Sequence, residues 1–133
     1  MSEFKILVDT HYLIWDMQGH KRFTPVVENL IKDNPDNVFI SSISFWELGM
    51  LVSKNKISIR PSIETFISDL IRYRNYKVLN LTPRISDILA AYKDVINGDP
   101  ADRVIAATAI SHNAILVTAD TNLRSLSFVK TFV

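Results

Sequence analysis

The stretch Phe4-Lys5-Ile6-Leu7-Val8-Asp9-Thr10 decides how this chain folds. Its apolar run has the length and composition of a strand that is buried on both faces of a sheet. Asp9 then stops the run, at the position where a parallel sheet presents the carboxyl end of a strand. Because a buried strand has no structural need for a terminal charge, Asp9 is the first candidate functional residue.

Four further runs of strand length follow, at residues 38–40, 77–81, 115–117 and 128–133. Apolar residues with helical spacing fill the intervals, after Ser44 and over residues 62–74 and 85–96. Parallel strands need crossover connections, and helices are the usual crossover. The alternation therefore predicts an α/β fold, a three-layer α/β/α sandwich with a mostly parallel central sheet.

Helix starts are marked by prolines. Thr24, Thr82 and Asp99 each stand directly before a proline, which places a capping side chain ahead of a residue that suits the first helical position. Arg60-Pro61-Ser62 indicates a fourth boundary. Since the sequence contains no repeat or low-complexity linker, one domain is predicted over residues 1–133.

Composition narrows the class of protein. The chain has 133 residues, 47% of them hydrophobic, with a formal charge of +1 and no cysteine. These values favour one globular domain and exclude a disulfide framework or a thiolate zinc site. We expect no signal peptide and no membrane span, and hence a cytoplasmic protein. A nucleic-acid partner has to be argued from the distribution of charge rather than from its sum.

Four acidic residues stand where an α/β sheet places its ligands. Asp9 ends the first strand, and Glu47 lies one turn into the helix that follows the second. Asp102 lies in the first turn of the helix that begins after Asp99, and Asp120 comes just after the run 115–117. If the strands are parallel and adjacent, these carboxylates converge at one edge of the sheet.

Converging carboxylates repel one another unless a cation neutralises them. Mg²⁺ or Mn²⁺ takes oxygen ligands and keeps positions open for water and substrate phosphate, which suits this set better than zinc does. Such a metal makes a nucleophilic water available near neutral pH and offsets the charge on a reacting phosphodiester. The set therefore predicts hydrolysis of a nucleic-acid backbone.

Each acid except Asp9 also has a structural interpretation. Asp99 has the position of an N-cap, and Ser44 with Glu47 has the spacing of a capping box. An acid at the position of Asp102 favours the positive end of a helix dipole, and Asp120 is typical of a turn. The functional interpretation therefore depends on the whole set rather than on any one member.

Four ordered segments carry a family resemblance. They are Ile6-Leu7-Val8-Asp9-Thr10-His11 with Trp15, Ile40-Ser41-Ser42-Ile43-Ser44-Phe45-Trp46-Glu47, Asp99-Pro100-Ala101-Asp102-Arg103, and Leu116-Val117-Thr118-Ala119-Asp120. In order and spacing they resemble the successive motifs of PIN-domain proteins, and the nearest branch is the bacterial VapC-type toxins. The resemblance covers residues 4 to about 124.

The resemblance implies a Mg²⁺- or Mn²⁺-dependent endoribonuclease. By this resemblance, the metal would be bound by Asp9, Asp102 and Asp120. Glu47 would hold a second metal or orient the attacking water. Asp99 would join this cluster or only cap its helix, and Thr10 and Thr118 would orient the carboxylates. The resemblance also implies a homodimer and a cognate antitoxin that silences the active site.

Basic residues are candidates for contacts to RNA. No acid occurs between Leu70 and Ser86, where basic side chains alternate with tyrosines, and a second acid-free stretch follows Ser53. Such patterns bind phosphates and stack bases, although they are also typical of an ordinary solvated face. The candidates are Arg72, Arg74, Lys77, Arg84, Lys54, Lys56 and Arg103.

Other conspicuous residues receive no catalytic role. His11, His20 and His112 lack metal-ligand spacing. Trp15 and Trp46 are interpreted as residues of the core or of a dimer interface.

Three rival functions remain for comparison. A dehalogenase-like phosphatase needs an acid two residues after Asp9, where this chain has His11, and a receiver domain needs an acidic pair that is absent from the first strand. The third is a catalytically inactive PIN-like module that binds RNA or protein. The presence of all four acids argues against that alternative.

Overall fold

A computed structural model describes residues 4–93, 96, 98–126 and 129–132. Within these ranges the chain forms five strands and seven helices. In chain order they are β1 (Ile6–Val8), α1 (Thr10–Gln18), α2 (Pro25–Lys32), β2 (Val38–Ser41), α3 (Ile43–Ser53), α4 (Ile63–Arg74), β3 (Lys77–Leu79), α5 (Pro83–Ala91), α6 (Pro100–His112), β4 (Ile115–Val117), α7 (Thr121–Arg124) and β5 (Thr131–Phe132).

The five strands form one sheet in the order β3-β2-β1-β4-β5, and every pair is parallel. Strand β1 is central, and its Val8 is in register with Ile40 of β2 and Val117 of β4. The backbone therefore leaves these three strands at one level. The predicted parallel α/β fold is confirmed.

Helices cover both faces of the sheet. Ile6 and Val8 point to one face, where they pack in a core with residues of α1, α2 and α4. Leu7 points to the other face and packs with residues of α6 and α7, while α5 packs on the outer side of α6. This alternation along β1 is the period of two expected of a strand, and it produces the three-layer sandwich.

The helix starts predicted at proline pairs are confirmed. Thr24, Thr82 and Asp99 cap α2, α5 and α6, each accepting a hydrogen bond from a backbone N–H in the first turn. Ser62 caps α4 in the same way.

The capping box at Ser44 is wrong. Helix α3 begins earlier, at Ile43 with Ser42 at its N-cap. Ser44 is fully buried inside the helix, and its Oγ lies 2.7 Å from Oγ1 of Thr10. The hydroxyl thus joins α3 to α1, so Glu47 is not explained as part of a cap.

Several boundaries differ from the sequence prediction. Strands β1 and β3 are shorter than the apolar runs that predict them, and α5 ends at Ala91 although the spacing continues to Ile96. The last strand forms within the predicted run 128–133, of which residues 128 and 133 lie outside the described residues. Trp46 is 47% exposed, which leaves only the interface interpretation for it.

Arg74 joins three helices on one face of the sheet. Its guanidinium donates two hydrogen bonds of 2.8 Å to Asp16 of α1 and one of 2.8 Å to Glu28 of α2. The same group lies over the rings of Phe23 and Tyr73. The side chain is only 6% exposed, and its charge lowers the pKa of Glu28. Arg74 is thus a structural cation.

None of the helices in the described ranges has the length and apolar content needed to cross a bilayer.

Replacing Arg74 with Met should destabilise the protein by about 3 kcal/mol, because it leaves the carboxylate of Asp16 buried without a partner. Urea denaturation of the variant measures this cost. Arg72→Met is the matched control, since Arg72 is 76% exposed and its Asp69 partner is 65% exposed, and such a pair contributes below about 1 kcal/mol. Equal losses in the two variants would contradict the structural role of Arg74.

Candidate active site

Asp9 occupies the N-cap position of α1 but does not cap the helix. Its side chain makes no hydrogen bond to the first turn, in contrast to the caps of α2, α4, α5 and α6. Instead its Oδ2 accepts a hydrogen bond of 2.7 Å from Oγ1 of Thr118, which follows β4. The residue is 1% exposed, and its Oδ1 has no hydrogen-bond partner among the described residues. Within the part of the chain that the structure describes, Asp9 therefore keeps a buried carboxylate oxygen without a hydrogen bond, in a longer ionic contact with Nδ1 of His11 at 3.9 Å.

Glu47 projects from α3 into the same region. It is 6% exposed, and its Oε1 has no hydrogen-bond partner within the described part of the chain. Burial raises the pKa of Glu47; a hydrogen bond with Thr10 opposes this rise, and the charges of Asp9 and Asp99 add to it. Unpaired buried carboxylate oxygens are costly, so a second functional acid stands here.

Helix α6 places Asp102 and Asp99 at its start. Oδ1 of Asp99 accepts a hydrogen bond of 3.0 Å from the backbone N–H of Asp102, so Asp99 is an N-cap as one interpretation predicts. One oxygen each of Glu47, Asp99 and Asp102 lies within 4.8 Å of the others. Gly98 precedes this helix start at φ 117°, a backbone conformation that favours glycine.

Asp120 reaches the site from the end of β4. Its Oδ1 accepts a hydrogen bond from the N–H of Leu123 and caps α7. Its own N–H donates to Oγ1 of Thr118 over 3.0 Å. The hydroxyl of Thr118 therefore connects two of the acids, because it donates to Asp9 and accepts from the backbone of Asp120.

The acids act on one another through their charges. The pKa of Asp102 is raised to about 8, first by its burial and then by repulsion from Asp99, Asp9, Asp120 and Glu47. One oxygen each of Glu47, Asp99 and Asp102 meet within 4.8 Å, Asp9 and Asp120 line one cleft together, and the charges of the other four acids all act on Asp102. We call these five residues the acidic cluster.

The acidic cluster has the chemistry of a site for a hard divalent cation. Oδ1 of Asp9 and Oε1 of Glu47 are buried acceptors with no hydrogen-bond partner among the described residues, and burial together with the neighbouring acids raises the pKa of Asp102. A cation with oxygen ligands would satisfy the acceptors and remove the repulsion. The residues present fit such an ion.

His11 is part of the site although the sequence analysis assigns it no role. Its Nδ1 lies 3.9 Å from Oδ1 of Asp9, and Asp9 raises the pKa of His11 to about 9. The signal that was available is its place on the first turn of α1, two residues after Asp9. His11 borders a cleft of about 150 Å³ that is lined by Asp9, His11, Trp15, Arg22, Ala119 and Asp120.

Two of the basic candidates lie beside the acidic cluster. Lys54 lines a groove together with Trp46, Glu47 and Asp99. Arg103 is exposed next to Asp102, and its Nε donates a hydrogen bond of 3.1 Å to the carbonyl of Gly98 rather than to Asp99.

The other basic candidates are not brought to the cluster. Lys77 begins β3 and lies at the amino-terminal end of the parallel strands, whereas Asp9 lies at their carboxyl-terminal end. Arg72 is near the end of the helix before β3. Arg84 lies near His112, whose pKa is lowered by burial and then by the charges of Lys5 and Arg84. His112 ends α6, about 15 Å along the helix from Asp102. Lys56 is exposed just after α3. Arg74 leaves the proposed RNA-binding set, because it is buried between Asp16 and Glu28.

Comparison with protein families matches residues 6–129 to the PIN domain. This chain therefore belongs to the PIN-domain family.

Individual relatives narrow the resemblance. The chain is 30% identical over 120 residues to ribonuclease VapC22 of Mycobacterium tuberculosis, a match that covers 90% of each protein. Its fold is similar to that of VapBC2 from Rickettsia felis bound to a promoter DNA fragment, with a TM-score of 0.72, 20% identity, and coverage of 97% of this chain and 98% of that one. DNA-bound VapBC from Salmonella typhimurium gives a TM-score of 0.72 at 18% identity, with 97% of each chain covered.

Asp102→Asn should stabilise the metal-free protein at alkaline pH. Folded Asp102 keeps its proton up to about pH 8, whereas an unfolded aspartate loses it near pH 4. The free energy of unfolding of the wild type therefore falls as pH rises between these values, and the variant avoids that fall. In EDTA, the midpoint of thermal unfolding of the variant should exceed that of the wild type by several degrees at pH 8, since ~1 kcal/mol shifts it by about 4 °C.

The difference in unfolding midpoint between Asp102→Asn and the wild type should shrink towards pH 5, where Asp102 is neutral in the folded protein. Asp87→Asn on the exposed side of α5 is the control and should leave the midpoint unchanged. A wild type that is more stable than Asp102→Asn at pH 8 in EDTA would contradict the repulsion within the acidic cluster.

Proposed function

We propose that this chain is a metal-dependent endoribonuclease and the toxin of a toxin–antitoxin pair. The observation that carries the proposal is the acidic cluster, in which carboxylates from separate elements meet with two buried oxygens unpartnered. The 30% identity to a protein named ribonuclease VapC22, in a match that covers 90% of both chains, supports the ribonuclease activity. Membership of the PIN-domain family supports it independently.

The cation that we propose is Mg²⁺ or Mn²⁺, held by Asp9, Asp102 and Asp120, with Glu47 at the same site or at a second one. When bound, it would supply a nucleophilic water and offset the charge that develops on the phosphodiester. Both ions prefer the oxygen ligands that these residues offer.

In this proposal, residues of the chain orient the carboxylates and the attacking water, and they accept or donate protons. Thr118 fixes the carboxylate of Asp9 and the backbone of Asp120 through one hydroxyl. Glu47, with its pKa raised by burial, is the acid best suited to orient the attacking water and accept its proton. His11, whose pKa is raised by Asp9 in the absence of a bound cation, lies beside the acidic cluster, where its imidazole would donate a hydrogen bond to a phosphate oxygen.

The substrate and partners follow from the same proposal. Lys54 and Arg103 flank the acidic cluster and would bind phosphates of the RNA, which a cluster of carboxylates alone repels. A cognate antitoxin is supported by the solved structures of similar fold, which are named as VapBC or toxin–antitoxin complexes. The proposal includes a homodimer, as the family resemblance implies, and action in the cytoplasm.

Cleavage of RNA tests the activity directly. Purified protein, freed of any partner and supplied with Mn²⁺, should cut transfer, ribosomal or messenger RNA, and Asp9→Asn should abolish the cut because it removes the carboxylate at the centre of the cluster. The loss should exceed the loss of about 10- to 100-fold that follows removal of a residue that only orients a metal ligand. Gel electrophoresis of the products measures the rate.

Asp87→Asn is the control and should cut at the wild-type rate. If the wild type leaves all three RNA classes intact and Asp9→Asn behaves identically, the enzymatic proposal is wrong. The inactive PIN-like module that binds RNA or protein would then be the better account.

Thr118→Val should raise the Mn²⁺ concentration needed for half-maximal cleavage by about 10- to 100-fold, because it removes the hydroxyl that orients Asp9 and Asp120. Thr108→Val is a matched control. Thr108 is also fully buried, but its hydroxyl bonds to the carbonyl of Val104 within α6. A similar shift in both variants would show a general effect on packing and would contradict the role of Thr118.

A further inference from the structure

The segment that follows α1 folds back over Trp15. Gly19 takes the left-handed conformation at φ 61° and ends the helix. The N–H of His20 then donates to the carbonyl of Trp15 over 2.9 Å, and the N–H of Arg22 donates to Nδ1 of His20 over 3.0 Å. These bonds place two side chains of the segment beside the indole ring.

Trp15 holds the guanidinium of Arg22 in place. The indole packs edge-on against Tyr12 at 5.0 Å and stacks on His20 at 5.8 Å, measured between ring centroids. The guanidinium carbon of Arg22 lies 4.9 Å from the indole centroid, within the range of a cation–π interaction. An otherwise flexible arginine is thereby given a preferred position before any ligand binds.

Arg22 differs from Arg74 in how its charge is used. Both guanidiniums lie over aromatic rings, but that of Arg74 is neutralised by Asp16 and Glu28. No salt bridge among the described residues involves Arg22, whose side chain is exposed. An ordered arginine without an anionic partner is typical of a residue that binds an external anion.

The position of Arg22 identifies that anion. It lines the cleft of about 150 Å³ that Asp9 and Asp120 also line. Any strand cut at the acidic cluster must bring neighbouring phosphates past these walls, and repulsion by the acids has to be offset nearby. The cleft is small for a ligand pocket and suits a single phosphate group.

We propose that Arg22 binds a backbone phosphate of the RNA next to the phosphodiester that is cut, and that Trp15 and His20 position its guanidinium. This inference rests on the proposed ribonuclease function. Arg22 acts by contact with the substrate, whereas Trp15 is a positioning residue. Neither was identified as an RNA contact from the sequence.

Binding of RNA tests the site apart from catalysis. Fluorescently labelled total transfer RNA is titrated with Asp102→Asn protein, which leaves the probe uncut, at several salt concentrations. Adding Arg22→Ala should weaken binding by about 10-fold and lower the slope of log affinity against log salt by about 1, as expected for the loss of one phosphate contact. Arg22→Lys should keep the slope but not the full affinity, because lysine retains the charge without the fork or the stacking.

Lys21→Ala is the matched control, since Lys21 is the exposed cation directly before Arg22. It should bind like the Asp102→Asn protein alone. Equal losses in the two variants, an unchanged salt slope in Arg22→Ala, or no RNA binding with Arg22 intact would each overturn the proposal. A change of slope cannot come from a purely structural role, and thermal unfolding of each variant verifies that it is folded.

Cleavage by the otherwise wild-type protein separates this inference from the proposed function. If the protein cuts RNA and Arg22→Ala cuts and binds like Lys21→Ala, the phosphate site is wrong and the ribonuclease stands. If Arg22→Ala shows the expected loss of binding but the protein cuts nothing, Arg22 still binds an RNA phosphate, while its place next to a cut phosphodiester and the enzymatic proposal both fail.

Discussion

The acidic cluster depends on the parallel register of β1 with its two neighbours. Because Val8 lies level with Ile40 and Val117, the chain leaves all three strands at one edge of the sheet. This register allows Thr118 to donate its hydrogen bond to Asp9, 109 residues away in sequence. Packing of α3 and α6 against the same edge then adds Glu47 and Asp102. A slip of one residue in either pairing would turn alternate side chains to the wrong face and separate the acids.

The same convergence makes the site unfavourable in the absence of a ligand. Asp102 is buried among like charges, and two carboxylate oxygens of the cluster have no donor among the described residues. The fold tolerates these costs because the sheet is packed between hydrophobic cores on both faces and Arg74 ties α1, α2 and α4 together by ion pairs. Charge that is left unsatisfied at a functional site and offset elsewhere is expected when a cation completes the site.

The sequence predicts the features that local chemistry determines. The caps at Thr24, Thr82 and Asp99 are such features, since each needs only a side-chain oxygen and a proline beside it, and Asp9 is one because nothing local explains its charge. Helix α1 is not predicted because it lacks clear helical spacing: Thr10 and three apolar residues are buried within its first five positions. The hydroxyl of Ser44 contacts Thr10 of another helix instead of capping its own. The structural role of Arg74 and the place of Arg22 depend on tertiary contacts that no spacing reveals, whereas the place of His11 follows from its position two residues after Asp9 on α1.

Acids that are distant in sequence are proposed to hold one divalent cation. A calorimetric titration with Mn²⁺ tests this without any choice of RNA. The wild type should bind Mn²⁺, and both Asp9→Asn and Asp102→Asn should lose that binding, since each removes a carboxylate from the same site. Wild-type affinity retained in either variant, or no binding to the wild type, would contradict a shared metal site.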